Sequence, residues 1–216
     1  VQLKVVKELG MEYICLRAAD GKGVAEYTVE EIKESILPRL NAAGVKVSSL
    51  GSPIGKIRLC DDFEAHKDVF RKLLDDSAVL GARAFRLFSF YEAQNEKNEV
   101  IDRLGILATL AVGSGVILCH ENEKGIYGEN APRCLDILRS VPQLKCVFDP
   151  ANFVQSNQET LSAWEMLKPY VDYMHIKDAA ADGHVVPAGW GAGNMAAIVK
   201  EYGEMGGKVL TLEPHL

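Results

Sequence analysis

The chain has 216 residues, of which 48% are hydrophobic and 25% charged, and its net charge is −6 at pH 7. This length is enough for one large domain with its own core. The acidic balance, without a long basic run, argues against nucleic acid or an anionic membrane as a partner. No apolar run of 18 residues occurs, so the sequence predicts no membrane-spanning helix.

Apolar strand segments alternate with helices at a spacing of roughly 30 residues, which is the length of a βαβ unit. The pattern predicts strands near 12–17, 45–50, 84–90, 115–121, 145–149, 171–177 and 208–213. Helices are predicted near 3–9, 28–43, 62–80, 97–113, 129–139, 157–168 and 191–203. No linker or low-complexity tract breaks the series, so we expect a single domain over residues 1–216.

Several residues mark details of the early helices. Thr28 and Glu31 have the spacing of a capping box, and Gly44 suits the left-handed position that ends a helix. Pro38 is expected to kink that helix. His66 lies on the next helix, which is rich in charge, and is expected at the surface.

Five cysteines occur without C-x-x-C spacing. The odd number and this spacing argue against a disulfide framework and against a zinc-thiolate site. Cys15, Cys119 and Cys146 lie in apolar strand segments, Cys60 in a loop and Cys134 on a helix. They are typical of reduced, mostly buried residues, which indicates a cytoplasmic protein.

Continuous alternation with apolar strands predicts an α/β fold with a parallel sheet covered by helices. A doubly wound sheet usually has a glycine-rich phosphate loop after its first strand, and no G-x-G-x-x-G follows any strand here. A (β/α)8 TIM barrel instead gathers functional residues from many strand ends. Seven strands after a leading helix predict a barrel that lacks its first strand and last helix, as in a fragment cut at both ends.

Four predicted strands run into a side chain that can bind a metal ion: Glu121, Asp149, His175 and Glu213. If these strands are parallel neighbours, the four side chains meet at the edge where α/β barrels carry their active sites. Three carboxylates and one imidazole suit one divalent ion, such as Mn²⁺, Mg²⁺, Co²⁺ or Zn²⁺. The sequence therefore predicts a metal-dependent enzyme.

At these residues the chain resembles the xylose-isomerase-like TIM-barrel superfamily of sugar and sugar-phosphate isomerases and epimerases. The matching segments are H-E-N at 120–122, F-D-P-A-N at 148–152, H-I-K-D at 175–178, P-A-G-W-G at 187–191 and L-E-P-H at 212–215. The segments K-V-S-S-L-G at 46–51 and R-L-F-S-F-Y at 86–91 are similar to the superfamily's third and fourth strands. The resemblance covers nearly the whole chain and is specific for the superfamily, whose members also include inosose dehydratases and a DNA-repair endonuclease branch.

The resemblance implies roles for the four strand-end residues. Glu121, Asp149, His175 and Glu213 would hold one metal ion, and the two glutamates would also be the catalytic acid and base. Protons would move through a metal-stabilised enediolate of a small sugar or sugar phosphate, in carbohydrate metabolism. Manganese is one expected ion, and barrels of this type often form homodimers.

Five further residues are candidates for binding substrate. Asn152 stands where many epimerases have a histidine, and Lys177 follows His175 by two residues. Asp178 either orients a ligand or caps a turn. Arg86 either binds a substrate oxygen or phosphate or is a structural barrel residue. His215 follows a strand end, where it would reach a sugar hydroxyl.

Two positions near the predicted site have other features. Trp190 departs from the superfamily pattern, because it fills a Gly-x-Gly turn that often carries Glu or Lys, and this is expected to reshape the mouth of the site. His120 precedes Glu121 and should point to the other side of its strand, which favours packing.

The function that this pattern favours is that of a metal-dependent sugar isomerase or epimerase. The alternative is a metal-dependent dehydratase of an inosose-like keto-polyol, because the same acid–base pair can expel a β-hydroxyl. An endonuclease-like phosphodiesterase is less favoured, since it needs more metal ligands and a basic groove. A non-catalytic barrel is disfavoured by the four intact ligands.

Overall fold

A computed structural model describes residues 2–213. The described chain forms two compact units. The first unit contains residues 2–54, 60–87 and 106–118, and the second contains 55–59, 88–105 and 119–213. Within the described residues, no helix is long and apolar enough to cross a membrane.

Seven strands of residues 2–213 belong to one sheet, in which they follow their chain order. They are β1 Tyr13–Leu16, β2 Lys46–Gly51, β3 Ala84–Leu87, β4 Ile117–Glu121, β5 Lys145–Phe148, β6 Val171–Ile176 and β7 Leu210–Leu212. In the first unit β2 pairs in parallel with β1 and β3. In the second unit the pairs β4–β5, β5–β6 and β6–β7 are parallel. The predicted parallel α/β architecture is therefore confirmed.

Helices alternate with these strands. The α-helices are Gln2–Glu8, Val29–Glu31, Leu37–Ala43, Phe63–Leu80, Lys97–Leu110, Ala131–Ser140, Pro150–Gln155, Thr160–Leu167 and Met195–Glu204. Ile32–Ile36 is a π-helical segment, and Val24–Glu26, Tyr127–Glu129 and Lys168–Tyr170 are 3-10 turns. Two short hairpins pair Ala18–Ala19 with Lys22–Gly23 and Asp178–Ala179 with Val185–Val186. The helix Gln2–Glu8 precedes β1 as expected, whereas the expectation of no helix after Glu213 lies outside the described residues.

The predicted boundaries of the helix over 29–43 are confirmed. The Thr28 hydroxyl accepts a hydrogen bond from the Glu31 N–H at 3.1 Å, and the Glu31 carboxylate accepts one from the Thr28 N–H at 2.7 Å. Gly44 ends the helix with φ of 67°. An irregular π-helical turn lies directly before Pro38, where the Leu37 N–H reaches back to the Ile32 carbonyl.

The expectation for His66 is wrong. Only 9% of His66 is exposed. The helix Phe63–Leu80 buries it on the same stripe as Phe70, Leu73 and Ser77, which follow at four, seven and eleven residues. Position on the helix therefore decided the burial of His66, and the charged composition of the helix did not.

An aromatic cluster lies behind β5 in the second unit. The ring of Phe148 is 5.1 Å from Phe153 and 5.3 Å from Trp164, with Trp164 edge-on. The Trp164 indole N–H donates to the Glu201 carboxylate at 2.7 Å. Large apolar rings and one satisfied indole N–H make this a rigid support for the strand that leads into Asp149.

Candidate metal centre

Four side chains converge at the carboxyl ends of parallel strands in the second unit. Glu121 is the last residue of β4, Asp149 follows β5, His175 lies near the end of β6, and Glu213 follows β7. Each offers one ligand atom, and these atoms all lie within 4.8 Å of one another. The convergence expected from their strand-end positions is therefore found, and their chemical roles stay predictions.

The Nδ1 atom of His175 is at the centre of this cluster. It lies 3.0 Å from Glu121 Oε1, 3.3 Å from Asp149 Oδ2 and 3.0 Å from Glu213 Oε2. Burial alone would lower the pKa of His175, but the three carboxylates raise that pKa well above its ordinary value. Three carboxylates this close to a buried nitrogen need a positive charge among them.

These residues fit a divalent metal ion. Two ligand atoms bound about 2.0–2.2 Å from one ion are separated by roughly 3.0–3.5 Å at bond angles between 90° and 110°. The separations of 3.0–3.3 Å around His175 Nδ1 are of this size. Carboxylate oxygens with one imidazole suit Mn²⁺, Mg²⁺, Co²⁺ or Zn²⁺ better than a soft metal ion.

Asn122 and Asn152 hold Asp149 in place. The Asn122 side chain accepts from the Asp149 N–H and donates to the Asp149 carbonyl, each at 3.0 Å. Asp149 caps the helix Pro150–Gln155, because its Oδ1 atom accepts from the Asn152 N–H at 2.9 Å. One carboxylate oxygen is thus used by the helix, and Oδ2 is directed at His175. Sequence reasoning gave Asn122 no role, although it lies within the H-E-N segment.

Lys177 and Asn152 extend the cluster. The Lys177 ammonium lies 2.8 Å from Asn152 Oδ1 and 3.4 Å from Asp149 Oδ2, and only 8% of the residue is exposed. Burial by itself lowers the pKa of Lys177, but Asp149, Glu213 and Glu121 produce a net rise. Lys177 therefore brings a fixed positive charge next to a candidate metal ligand.

Asp178 organises a glycine-rich loop. Its Oδ1 atom accepts from the N–H groups of Ala179 and Gly193, each at 2.9 Å. Its Oδ2 atom accepts from those of Gly189 at 2.9 Å and Gly191 at 3.0 Å. Both carboxylate oxygens are therefore engaged by backbone, and a contact of Asp178 with substrate stays a prediction.

The other two candidates for binding substrate are not brought into this cluster by the described contacts. Arg86 belongs to the first unit, where it is buried and its carbonyl accepts from the Ser52 hydroxyl at 2.5 Å. His215 lies outside the described residues. A role in substrate binding stays a prediction for both.

His120 packs away from the cluster. It is fully buried, and its Nε2 atom lies 2.9 Å from the Ser89 hydroxyl, which also accepts from the Gly128 N–H at 2.8 Å. Burial lowers the pKa of His120 to about 4, so the ring is neutral at pH 7. The predicted packing role is confirmed.

A partly buried ion pair lies close in sequence to the centre. Lys56 Nζ is 2.9 Å from Glu123 Oε2 and 4.2 Å from the centroid of the Phe88 ring. The 67 residues between Lys56 and Glu123 gave the sequence no signal for this contact.

Comparisons with known proteins agree on the fold. The sequence model of the family described as Xylose isomerase-like TIM barrel matches residues 3–215. A search of curated proteins found no significant match. The predicted TIM-barrel fold is thereby confirmed.

Three similar solved structures illustrate the range of proteins with this fold. The probable 3-DHS dehydratase AsbF, involved in petrobactin synthesis in Bacillus anthracis, is 18% identical over 98% of this chain and 85% of its own, with a TM-score of 0.77. A xylose isomerase-like TIM barrel protein from Mycobacterium smegmatis, in complex with magnesium, is 20% identical over 98% and 80%, with a TM-score of 0.78. The 3-keto-D-glucoside 4-epimerase YcjR from E. coli is 13% identical over 99% and 85%, with a TM-score of 0.72.

Proposed function

Because the chain belongs to the xylose isomerase-like TIM barrel family, we propose that it is a divalent-metal-dependent isomerase or epimerase of a small sugar or sugar phosphate. The observation that carries this proposal is the buried cluster of three carboxylates around His175 Nδ1. An epimerase and a magnesium-bound protein among the similar structures support it.

Glu121, Asp149, His175 and Glu213 would hold the ion, for which Mn²⁺, Mg²⁺, Co²⁺ and Zn²⁺ are the candidates. When bound, such an ion supplies Lewis-acid stabilisation of negative charge on a substrate oxygen and fixes the substrate's orientation. The hydrogen bonds from Asn122 and Asn152 keep Asp149 in one orientation for this task.

The two glutamates are suited to remove a proton from a substrate carbon and to return one. Glu121 ends β4 and Glu213 follows β7, and two other strands lie between these in the sheet. The carboxylates thus approach the centre from different directions, each 3.0 Å from His175 Nδ1. Removal on one face and return on the other would invert a carbon centre, whereas transfer between adjacent carbons would isomerise aldose and ketose.

The two glutamates differ in their access to solvent. The Glu213 side chain is 17% exposed and the Glu121 side chain 2%. We therefore assign to Glu213 the proton that exchanges with water and to Glu121 the proton that is shielded from it. This difference gives the two residues separate isotopic signatures.

A dehydratase is the second candidate, and Lys177 is the observation that favours it. Its buried ammonium, 3.4 Å from Asp149 Oδ2, is a donor that can protonate a departing hydroxyl. A probable dehydratase is also among the similar structures. Loss of a β-hydroxyl from a keto-polyol would use the same glutamates for proton removal.

The test is an activity screen with Mn²⁺, Mg²⁺, Co²⁺ and Zn²⁺ across free and phosphorylated ketoses and keto-cyclitols. A new stereoisomer seen by NMR supports the epimerase or isomerase, whereas an ultraviolet-absorbing enone identifies the dehydratase. Asp149→Asn is the matched control, because it keeps an oxygen to cap the helix Pro150–Gln155 and removes the charge. Equal activity of this variant and of the wild type without metal would contradict the proposal.

A further inference from the structure

Trp190 is 81% exposed, which is the largest exposed fraction among the large hydrophobic side chains that the structure describes as exposed. The other tryptophan of the chain, Trp164, is 1% exposed. Full exposure of an indole leaves a large apolar surface in water, which burial against a ligand would remove.

The loop that carries Trp190 has a fixed backbone. Asp178, which is 1% exposed, binds the N–H groups of Gly189 and Gly191 on either side of Trp190, and the Trp190 N–H donates to the Pro187 carbonyl at 3.0 Å. A Cβ atom at Gly191 would collide with the Asp178 carboxylate and the Ala179 carbonyl. The loop therefore presents Trp190 from a backbone that is already ordered.

The anchors of this loop adjoin the metal centre. Asp178 follows Lys177, whose ammonium contacts Asp149. On its other side the loop packs at Gly193 against Pro150, where a Cβ atom would lie 3.1 Å from the Pro150 Cβ. Pro150 in turn follows Asp149 directly. Both anchors are thus one residue away from side chains of the cluster.

We propose that Trp190 is a specificity-determining residue that stacks on the apolar C–H face of the substrate ring, an inference that rests on the proposed function. A sugar or cyclitol ring has hydroxyls at its rim and C–H groups on its faces, so an indole face can cover one of them while the polar rim faces the metal centre. Because the loop is ordered before binding, little conformational entropy is lost on stacking. A contribution of roughly tenfold to affinity is expected, as for other aromatic contacts of about 1.4 kcal/mol.

The two tryptophans allow a direct binding test. The probes are D-fructose, D-tagatose, D-psicose, myo-inositol and methyl β-D-glucoside, each titrated with Mn²⁺ present while acrylamide quenching of tryptophan emission is measured. At least one probe should protect Trp190 from acrylamide. Trp190→Phe retains only the buried Trp164 emission and should show no change, which assigns the signal.

Affinity and turnover then separate this inference from the proposed function. Trp190→Ala should raise Kd, and KM where a probe is turned over, about tenfold with kcat within twofold, and Trp190→Phe should restore most of the loss. Protection without turnover of any probe contradicts the proposed function and supports the stacking role. Unprotected Trp190 with every probe, unchanged affinity in Trp190→Ala, or protection that follows protein concentration alone would overturn the stacking role; the last result would mark contact with a second copy.

Discussion

The ammonium of Lys177 lies 2.8 Å from the side-chain oxygen of Asn152, and the amide nitrogen of the same asparagine faces Glu121 Oε1 at 3.4 Å. That nitrogen also donates to the Asn122 carbonyl at 2.9 Å. A carboxamide can accept from an ammonium and donate to a carboxylate at once. Asn152 therefore links the buried cation to a proposed catalytic glutamate, and its own polar atoms are engaged by protein.

Asn152→Ala should lower kcat or the affinity for Mn²⁺ by about 10–100-fold, because it removes the partner that orients Glu121 and Lys177. Asn152→Asp should restore only the contact with Lys177, since a carboxylate cannot donate to Glu121. The measurements are steady-state kinetics and calorimetric titration of Mn²⁺. The control is Gln158→Ala, whose amide donates to the Glu159 carbonyl at the surface. An effect of Asn152→Ala on KM alone would instead indicate direct contact with substrate.

Asp76 gives a prediction about stability and pH in the first unit. Its side chain is fully buried beside Lys72 at 2.8 Å. Burial raises the pKa of Asp76 above its ordinary value of 3.8, although the ion pair with Lys72 opposes the rise. The folded state thus holds a proton more tightly than the unfolded state. The contribution of this group to stability is present below pH 3.8 and is lost as pH rises through the higher folded value.

Asp76→Asn should therefore gain stability relative to the wild type as pH rises across this window. Urea unfolding between pH 3 and pH 7 measures the difference in free energy of unfolding. Asp75→Asn is the matched control, because Asp75 is exposed on the same turn of the helix. If the difference between Asp76→Asn and the wild type instead shrinks with rising pH, the folded state does not hold the proton more tightly.

The strand ends and the four clustered residues could be predicted from sequence because their signals are local. A strand shows in a short apolar run, and parallel strands necessarily bring their carboxyl ends to one edge. Glu121, Asp149, His175 and Glu213 each sit at such an end, so their convergence follows from strand order alone. The short helix Pro150–Gln155 was missed, although Asp149 and Pro150 together are a helix-start signal.

The supporting contacts could not be predicted, because they join residues that only the fold brings together. Asn122 meets the backbone of Asp149 across 27 residues, and Lys56 meets Glu123 across 67. Neither pair has a spacing that a helix or hairpin would produce. Asp178 was left open between a ligand contact and a turn, and its actual partners include glycines 11 to 15 residues away.

Metal binding should stabilise the fold, since an ion held by the cluster binds the folded state and not the unfolded chain. At a concentration one hundred times its Kd, an ion adds about 2.7 kcal/mol. For a chain of this size that corresponds to a rise in Tm of roughly 5–11 °C. The measurement is thermal unfolding of chelator-treated protein before and after addition of Mn²⁺.

His175→Gln tests whether this stabilisation arises at the proposed centre. The variant removes the nitrogen that lies 3.0–3.3 Å from the three carboxylate oxygens. The rise in Tm with Mn²⁺ should then largely disappear. His184→Gln is the control, because His184 is exposed and its ring lies beside the exposed Asp182. An equal rise in Tm for His175→Gln would place the ion elsewhere.

The last prediction concerns the proton-transfer roles of Glu121 and Glu213. Glu121→Gln and Glu213→Gln should each abolish turnover, because a carboxamide cannot accept a carbon-bound proton. The Glu213 side chain is the more exposed of the two, so its proton should exchange faster with solvent. Deuterium from the solvent should therefore enter the substrate carbon through Glu213, and this wash-in should persist in Glu121→Gln and be lost in Glu213→Gln.

Both glutamates are also proposed ligands, so the metal content of each variant must be measured beside its isotope exchange. Glu96→Gln is the control for the loss of one carboxylate, because Glu96 is exposed in the same unit. A variant that retains metal and turns over at the wild-type rate has not lost its acid or base. If Glu121→Gln and Glu213→Gln both behave in this way, proton transfer by the two glutamates is wrong, and the metal cluster must serve a reaction without carbon-bound proton transfer.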